Sequence, residues 1–142
     1  MECGYSRTEM SSSTDRLSRM EKLLEYLADE NADTPIIVEG KNDKLALRQL
    51  GIGGVVYVVN GRHTLFQMCE EISREQRKVI LLTDWDRKGG QICHTLSKGF
   101  AANGVSVDEK IRSRLSSLSS GDIKDVEGLP RLVERLRTKA KR

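Results

Sequence analysis

The sequence predicts an α/β fold: an open, mainly parallel four-stranded sheet with helices on both faces and a further helix at each end of the chain. Two observations carry this prediction. Short β-branched and aliphatic runs alternate with longer stretches whose apolar residues recur at three- and four-residue steps. Polar segments rich in glycine and asparagine separate them. Alternation at this spacing is typical of parallel strands joined by right-handed helical crossovers.

Four apolar runs are the predicted strands. The first three occur at Ile36–Val38, Val55–Val59 and Val79–Thr83, and the fourth is expected at Val105–Val107. The third run is apolar or β-branched throughout, which suits a strand buried on both faces of a parallel sheet. We therefore place this strand in the interior of the sheet.

The remaining pattern divides the chain into four parts. Ser13 or Thr14 can cap an amphipathic helix whose leucines face the core, and Leu129-Pro130 begins a last helix. We expect a flexible N-terminus over 1–13, an N-terminal helix packed on the core over 14–31, an α/β domain over 34–128, and a basic C-terminal helix and tail over 129–142.

Composition limits the class of protein. The 142 residues suit one core, and the net charge of +3 does not by itself indicate a polyanion-binding protein. The three cysteines, Cys3, Cys69 and Cys93, have no metal-ligand spacing, so we interpret them as reduced thiols. No apolar run approaches the ~20 residues of a membrane span, and no signal-peptide pattern begins the chain. We expect a cytoplasmic location.

Two carboxylates follow the third predicted strand. Asp84 and Asp86 are spaced i and i+2, which places both side chains on one face if the strand continues through them. Paired carboxylates suit a hard cation such as Mg²⁺, which prefers oxygen ligands. Arg87 and Lys88 come next, where a helix should begin, and helix N-termini attract phosphate. The alternative is an ordinary solvated loop.

Polar residues also follow the other two strands. Glu39, Gly40 and Lys41 come after the first strand, and Asn60-Gly61 after the second. Ligands of open parallel sheets bind beyond the carboxyl ends of the strands. If the first and third strands are neighbours, three carboxylates, Glu39, Asp84 and Asp86, meet around one space.

These segments resemble the motifs of the Toprim domain. The matching motifs are VEGKND at Val38–Asp43, the glycine turn at Asn60–Gly61, and TDWDRKGG at Thr83–Gly90. The Toprim domain is shared by type IA and type II topoisomerases, bacterial primases, old-family nucleases and some recombination and RNA-maturing proteins. The variant here is especially similar to small stand-alone archaeal Toprim proteins and to the Toprim half of the ribonuclease that matures 5S ribosomal RNA. The region that resembles the Toprim domain covers about half of the chain.

The resemblance implies a role for each matching residue. Glu39 corresponds to the glutamate that acts as general acid or base, or helps to hold metal, and Asp84 and Asp86 correspond to the metal-binding aspartates. Mg²⁺ is the implied metal, and Mn²⁺ can substitute. The residues expected at phosphate or nucleic acid are Gly40, Lys41, Asn60, Gly61, Arg62, Arg87 and Lys88.

Two departures separate the chain from the large relatives. Lys88 stands where type IA topoisomerases often carry a further acid, and neither Tyr5, Tyr26 nor Tyr57 has the context of their catalytic tyrosine. The resemblance therefore does not imply a complete topoisomerase or primase. It implies a Mg²⁺-dependent nuclease or strand-transfer module acting on RNA or DNA phosphodiesters.

Two other functions stay open at this point. The chain can be a non-catalytic metal- and nucleic-acid-binding module, or a subunit of an RNA-processing or replication and repair complex, with a protein partner that supplies substrate recognition. It can also act on small phosphorylated compounds. We expect a monomer or weak dimer that does not associate with a membrane.

Several remaining polar residues have plainer interpretations. We interpret His63 as a helix-start residue rather than a ligand, and His94 as structural. Trp85, between the two aspartates, is expected to pack against the core or its rim. The acidic cluster is interpreted as a loop and helix cap, with the alternative that one of its members reaches the site; its members are Asp122, Asp125 and Glu127.

Overall fold

The computed structural model describes residues 12–59, 61 and 63–141, and these form four strands and six α-helices. The predicted flexible segment lies almost entirely outside the described residues. The elements in chain order are α1 (Ser12–Asn31), β1 (Ile36–Val38), α2 (Lys41–Gln49), β2 (Val56–Val58), α3 (Leu65–Ser73), β3 (Lys78–Leu81), α4 (Arg87–Ala102), β4 (Ser106–Asp108), α5 (Lys110–Ser119), a short 3₁₀ turn (Val126–Gly128) and α6 (Leu129–Ala140).

The strands form one parallel sheet in the order β2-β1-β3-β4. The first and third strands are neighbours, as the sequence interpretation required, with Ile36 opposite Ile80 and Ile37 opposite Leu81. The chain leaves β1 toward one edge of the sheet and leaves β3 toward the other. The carboxyl ends of β1 and β3 therefore flank the point where the direction of the connections reverses, which is where open α/β sheets bind ligands.

Alternate residues of the central strands pack into two separate cores. Ile36, Val38 and Ile80 belong to the core covered by α1, α2, α5 and α6. Ile37 and Leu81 point to the other side, into the core beneath α3 and α4. Burial on both faces explains why β1 is apolar at every position and β3 is apolar from Val79 to Leu81, after the exposed Lys78. The predicted α/β sheet with helices on both faces is confirmed.

A buried asparagine joins the N-terminal helix to the sheet. Asn31, the last residue of α1, donates from Nδ2 to the carbonyl oxygens of Thr34 (3.0 Å) and Val55 (3.1 Å). Its Oδ1 accepts from the backbone N–H of Gly54 at 2.8 Å. A Cβ added at Gly54 would lie 2.4 Å from the Asn31 carbonyl oxygen, so only glycine fits this close approach. The amide thus fixes the segments that enter β1 and β2.

None of the helices in the described ranges is long and apolar enough to cross a membrane.

We expect Asn31→Ala to lower the free energy of unfolding by about 2–4 kcal/mol, because it leaves the Thr34 carbonyl group and the Gly54 N–H without partners at a buried position. It also removes one of the two hydrogen bonds that the Val55 carbonyl oxygen accepts, the other coming from Ile36 N. Urea unfolding followed by circular dichroism measures the loss. Asp33→Ala, an exposed change two residues away, is the control and should stay within about 0.5 kcal/mol. Equal losses in the two variants would contradict this role of Asn31.

Candidate metal and phosphate site

The carboxyl ends of β1 and β3 are joined by a side chain. Glu39 follows β1 directly, and its Oε2 accepts a hydrogen bond from the backbone N–H of Asp84 at 2.8 Å, across 45 residues of sequence. Asp84 and Asp86 lie just beyond β3. We call these three carboxylates, Glu39, Asp84 and Asp86, the acidic centre. The structure therefore brings the motif glutamate and the motif aspartates to the same place.

The two aspartates are not positioned by strand alternation, which corrects the sequence argument. β3 ends at Leu81 rather than Thr83, so neither aspartate is in a strand. Asp86 instead caps α4, and its Oδ1 accepts from the backbone N–H of Gly89 at 2.7 Å. The i, i+2 spacing therefore marks a turn from strand into helix, in which one acid follows the strand and the other begins the helix.

A glycine holds this turn tightly closed. A Cβ added at Gly89 would lie 1.9 Å from the carbonyl oxygen of Asp84, a distance no side chain tolerates. The hydroxyl of Thr83, which is fully buried, donates to the Gly89 carbonyl oxygen at 2.9 Å. The start of α4 therefore lies directly on the backbone that carries Asp84. Gly90 has no such constraint, since its added Cβ would meet only Arg112 Nη2, at 3.8 Å.

Arg112, from α5, binds the same backbone. Its Nε donates to the Thr83 carbonyl oxygen at 3.0 Å, and its Nη2 donates to that of Asp84 at 2.7 Å. Sequence reasoning did not identify this residue, because nothing in its local pattern links α5 to the end of β3.

The charges of the site act most strongly on Asp84. Burial, together with the negative charges of Glu39, Asp43, Asp125 and Asp86, raises the pKa of Asp84 to about 7. Its Oδ1 is buried without a hydrogen-bond partner among the described residues. A buried carboxylate oxygen normally has a partner, so an orphaned one surrounded by acids indicates a place where a cation or a proton is needed.

Asp43, a second buried acid, has a structural task. Its Oδ2 accepts from the backbone N–H of Gly40 at 3.0 Å, and its Oδ1 accepts from that of Glu127 at 2.9 Å. Burial raises the pKa of Asp43, while these two hydrogen bonds oppose that shift. Because both oxygens are engaged, Asp43 orders the turn after β1 and contributes only its charge to Asp84.

The acidic cluster near the C-terminus divides between two places. Asp125 caps the 3₁₀ turn by accepting from Gly128 N at 3.0 Å, and it is also among the charges that raise the pKa of Asp84. Asp122 is bound by Arg16 at 2.9 Å, and this hydrogen bond holds the pKa of Asp122 below its usual range. One member of the cluster therefore lies close enough to the site to act on its electrostatics.

Trp85, between the two aspartates, packs at the rim of the larger core, as expected. Its backbone N–H donates to the Lys124 carbonyl oxygen at 2.8 Å, and its indole Nε1 donates to that of Ile123 at 2.9 Å. The segment after α5 is thereby tied to the loop that carries the acidic centre. Sequence reasoning missed this connection, since only tertiary structure brings residues 38 positions apart together.

The residues predicted to contact phosphate are exposed at two helix starts. Lys41 is the first residue of α2, and Arg87 and Lys88 begin α4. Cations at a helix N-terminus are disfavoured by the helix dipole unless an anion lies between them and the backbone N–H groups. Their placement is thus suited to phosphate.

Gly40 and Gly61, two other residues predicted at phosphate, have room for a side chain. A Cβ at Gly40 would lie 3.6 Å from Asp43 Oδ2, and one at Gly61 would meet no described atom within 4 Å outside its chain neighbours. Neither glycine is required by internal packing: a side chain at Gly40 would make an ordinary van der Waals contact, and Gly61 has open space beside its backbone among the described atoms. Asn60 and Arg62, the other predicted contacts of this turn, lie outside the described residues.

The donor set fits a hard divalent cation of the Mg²⁺ type. All three side chains of the acidic centre offer carboxylate oxygens. One of these oxygens is Asp84 Oδ1, which has no hydrogen-bond partner among the described residues. Across residues 12–59, 61 and 63–141, however, no three His, Cys, Asp or Glu side chains are close enough to enclose an ion. This arrangement suits Mg²⁺, which keeps several waters and needs only one or two carboxylates from the protein.

A separate cavity of about 380 Å³ lies between β2 and α3, away from the acidic centre. Its lining includes Tyr57, His63, Met68 and Glu71, and no member of the acidic centre. The acidic centre is therefore not part of this cavity, and we assign the cavity no role.

The fold and the acidic centre together define an α/β protein with carboxylates at its topological switch point. A family model described as the Toprim domain matches residues 33–109, and the chain belongs to the Toprim domain family. The predicted family is confirmed. Membership indicates a metal-dependent function connected with nucleic acids.

Archaeal relatives extend the similarity over most of the chain. This chain is 41% identical over 125 residues to a UPF0292 protein of Methanosarcina acetivorans, and the match covers 87% of this chain and 86% of that one. It is 34% identical over 113 residues to a UPF0292 protein of Methanocaldococcus jannaschii, covering 77% and 88%. The chain is thus similar to small archaeal Toprim proteins.

A solved structure of a protein from Aquifex aeolicus superposes with a TM-score of 0.66 at 29% identity, covering 75% of this chain and 94% of that one.

The contact between Gly89 and Asp84 predicts that two adjacent glycines respond in opposite ways to the same change. Gly89→Ala should cost about 1–3 kcal/mol of unfolding free energy, because the added methyl group overlaps the Asp84 carbonyl oxygen. Gly90→Ala should be neutral or stabilising by up to about 1 kcal/mol, because alanine favours the helix. Urea unfolding of both variants measures the difference, and similar effects at the two positions would contradict the close approach.

The raised pKa of Asp84 predicts a pH-dependent stability. Between its ordinary value of 3.8 and about 7, the folded chain holds a proton that the unfolded chain has lost. The free energy of unfolding contributed by this group therefore falls as the pH rises through that window. Asp84→Asn removes the titrating group, so the variant should gain stability relative to the wild type from about pH 4 to about pH 7.

Urea unfolding in metal-free buffer at several pH values measures this difference. Asp33→Asn, the same chemical change at an exposed position, should differ from the wild type by an amount that does not vary with pH over this window. A difference between Asp84→Asn and the wild type that is also independent of pH would show that Asp84 titrates normally.

Proposed function

We propose that this protein is a Mg²⁺-dependent enzyme that acts on phosphodiester bonds of nucleic acids, as a nuclease or strand-transfer module. The observation that carries the proposal is the buried Oδ1 of Asp84, which has no hydrogen-bond partner in the described part of the chain and lies beside Glu39, at the switch point of a Toprim sheet. A buried carboxylate oxygen that meets no donor among the described residues is well suited to bind a cation.

Asp84 and Asp86, with Glu39, would hold the metal. When bound, Mg²⁺ supplies charge neutralisation for the phosphate and for the attacking or leaving oxygen. Mn²⁺ is expected to substitute, because it accepts the same oxygen ligands. The orientation of these side chains comes from the chain itself, through the cap that Asp86 makes on α4 and the hydrogen bond that Glu39 accepts from Asp84 N.

Glu39 would serve as the general acid or base. Its Oε2 is anchored by the Asp84 N–H at 2.8 Å, so the carboxyl group has a fixed orientation from which Oε1 can exchange a proton with a reacting oxygen. Its position at the end of β1 is rigid, because β1 is buried on both faces.

Lys41, Arg87 and Lys88, with the backbone N–H groups that begin α2 and α4, would bind the phosphates. Gly40, Asn60, Gly61 and Arg62 would line the same path. Phosphate contacts position a nucleic acid without reading its sequence, so this set is expected to bind RNA or DNA of many sequences. Sequence preference would come from a protein partner.

A non-catalytic metal- and nucleic-acid-binding module, or a subunit of an RNA-processing or replication and repair complex, is the second candidate. One observation favours it: Lys41, Arg87 and Lys88 are exposed at helix starts, a placement that suits phosphate binding whether or not a reaction follows. Such a module would bind metal and nucleic acid without turnover.

Incubation of the purified protein with end-labelled RNA and DNA, single- and double-stranded, tests the proposal. We expect cleavage in Mg²⁺ or Mn²⁺ and none in EDTA. Asp84→Asn and Glu39→Gln should each reduce the rate by about a hundredfold or more, the range typical of a lost acid–base or metal-binding group. Asp33→Asn and Glu134→Gln make the same chemical changes at exposed positions and should retain full activity.

Binding without cleavage in every condition would replace the enzyme by the non-catalytic module. Cleavage that survives in both site variants would trace the activity to a contaminant and would refute the assignment of the site.

A further inference from the structure

The segment Ile123–Glu127 forms one wall of the acidic centre, although it lies beyond the residues 33–109 that the Toprim family model matches. Three backbone contacts hold it there. Trp85 donates to the carbonyl oxygens of both Ile123 (2.9 Å) and Lys124 (2.8 Å), and Glu127 N donates to Asp43 Oδ1 at 2.9 Å. We call this segment the C-terminal wall.

The wall places one cation beside the acids. The backbone of Lys124 is fixed by its carbonyl bond to Trp85 N, while its side chain is 69% exposed. The lysine Nζ lies 3.8 Å from Asp86 Oδ2, the oxygen of Asp86 that does not cap α4. This distance is too long for a hydrogen bond, so the contact is a loose, solvent-screened ion pair.

We propose that Lys124 contacts phosphate at this site, although it lies outside the Toprim segment. When nucleic acid binds, Lys124 leaves Asp86 and pairs with a backbone phosphate. This inference rests on the proposed function. Exposed ion pairs contribute little to stability, so Lys124 can leave Asp86 at small cost. Its fixed backbone keeps the ammonium group within reach of any phosphate held at the start of α4.

The proposal makes two predictions of opposite sign. As a positive charge near Asp86, Lys124 opposes a divalent cation at the acidic centre, so its removal should tighten metal binding. As a phosphate contact, it favours nucleic acid, so its removal should weaken that binding and lower the salt dependence by about one counterion. If Lys124 only stabilised the C-terminal wall, its removal would weaken the binding of both metal and nucleic acid.

The first measurement is an Mn²⁺ titration of the wild type, Lys124→Ala and Lys98→Ala by calorimetry without nucleic acid. Lys98 is an exposed lysine on α4, and it serves as the control for loss of one positive charge. We expect the dissociation constant for Mn²⁺ to fall by about twofold to fivefold in Lys124→Ala and to stay unchanged in Lys98→Ala.

The second measurement is fluorescence anisotropy with a labelled RNA oligonucleotide and its DNA counterpart, in Mg²⁺ at several salt concentrations. The parent is Glu39→Gln, which prevents cleavage during the titration. Adding Lys124→Ala should weaken binding about threefold to tenfold, and Lys124→Arg should restore most of it, because arginine keeps the charge. Adding Lys98→Ala should have no effect.

The outcomes separate this inference from the proposed function. If the parent binds no oligonucleotide although it binds Mn²⁺, the proposed function fails, and the role of Lys124 fails with it. If the parent binds the oligonucleotides and Lys124→Ala binds them equally well, only the role of Lys124 is refuted. Weaker binding of both metal and nucleic acid in Lys124→Ala would assign it a structural role instead.

Discussion

The site depends on the direct pairing of β1 with β3. This pairing brings Glu39, which ends one strand, to the backbone N–H of Asp84, which follows the other, at 2.8 Å. Because the connections from the two strands run to opposite edges of the sheet, no crossover covers the gap between their carboxyl ends. A different strand order would separate Glu39, which follows β1, from Asp84 and Asp86, which follow β3.

The arrangement is electrostatically unfavourable for the ionised carboxyl group of Asp84. Burial and four neighbouring acids raise its pKa to about 7, and one of its oxygens is left without a partner among the described residues. The surrounding structure keeps the carboxyl group in place through its backbone, which is held by Glu39, Arg112 and the contact with Gly89. An unfavourable position maintained by such support is typical of a functional group rather than a structural one.

The carboxyl-terminal third of the chain takes part in the same site. α5 supplies Arg112, and the C-terminal wall receives both hydrogen bonds of Trp85 while covering Asp43. Arg112 and the C-terminal wall lie outside residues 33–109, which the Toprim family model matches, while their partners lie inside that range. They explain how a chain of 142 residues can order a loop that carries several like charges. Tertiary hydrogen bonds to the backbone hold the acids without neutralising them.

The local sequence pattern was enough to predict the α/β class, the strand positions to within a few residues, and the residues of the acidic centre. A strand buried on both faces must be apolar, so the polar residues that follow it are easy to recognise in the sequence. The local pattern did not determine where β3 stops: Asp86 caps α4, since a helix start competes with strand extension at that point. Only the tertiary structure decided that Gly89 rather than Gly40 or Gly61 is sterically required, and that Arg112, Asp125 and Lys124 surround Asp84 and Asp86. Those contacts join residues far apart in sequence, and no local periodicity encodes them.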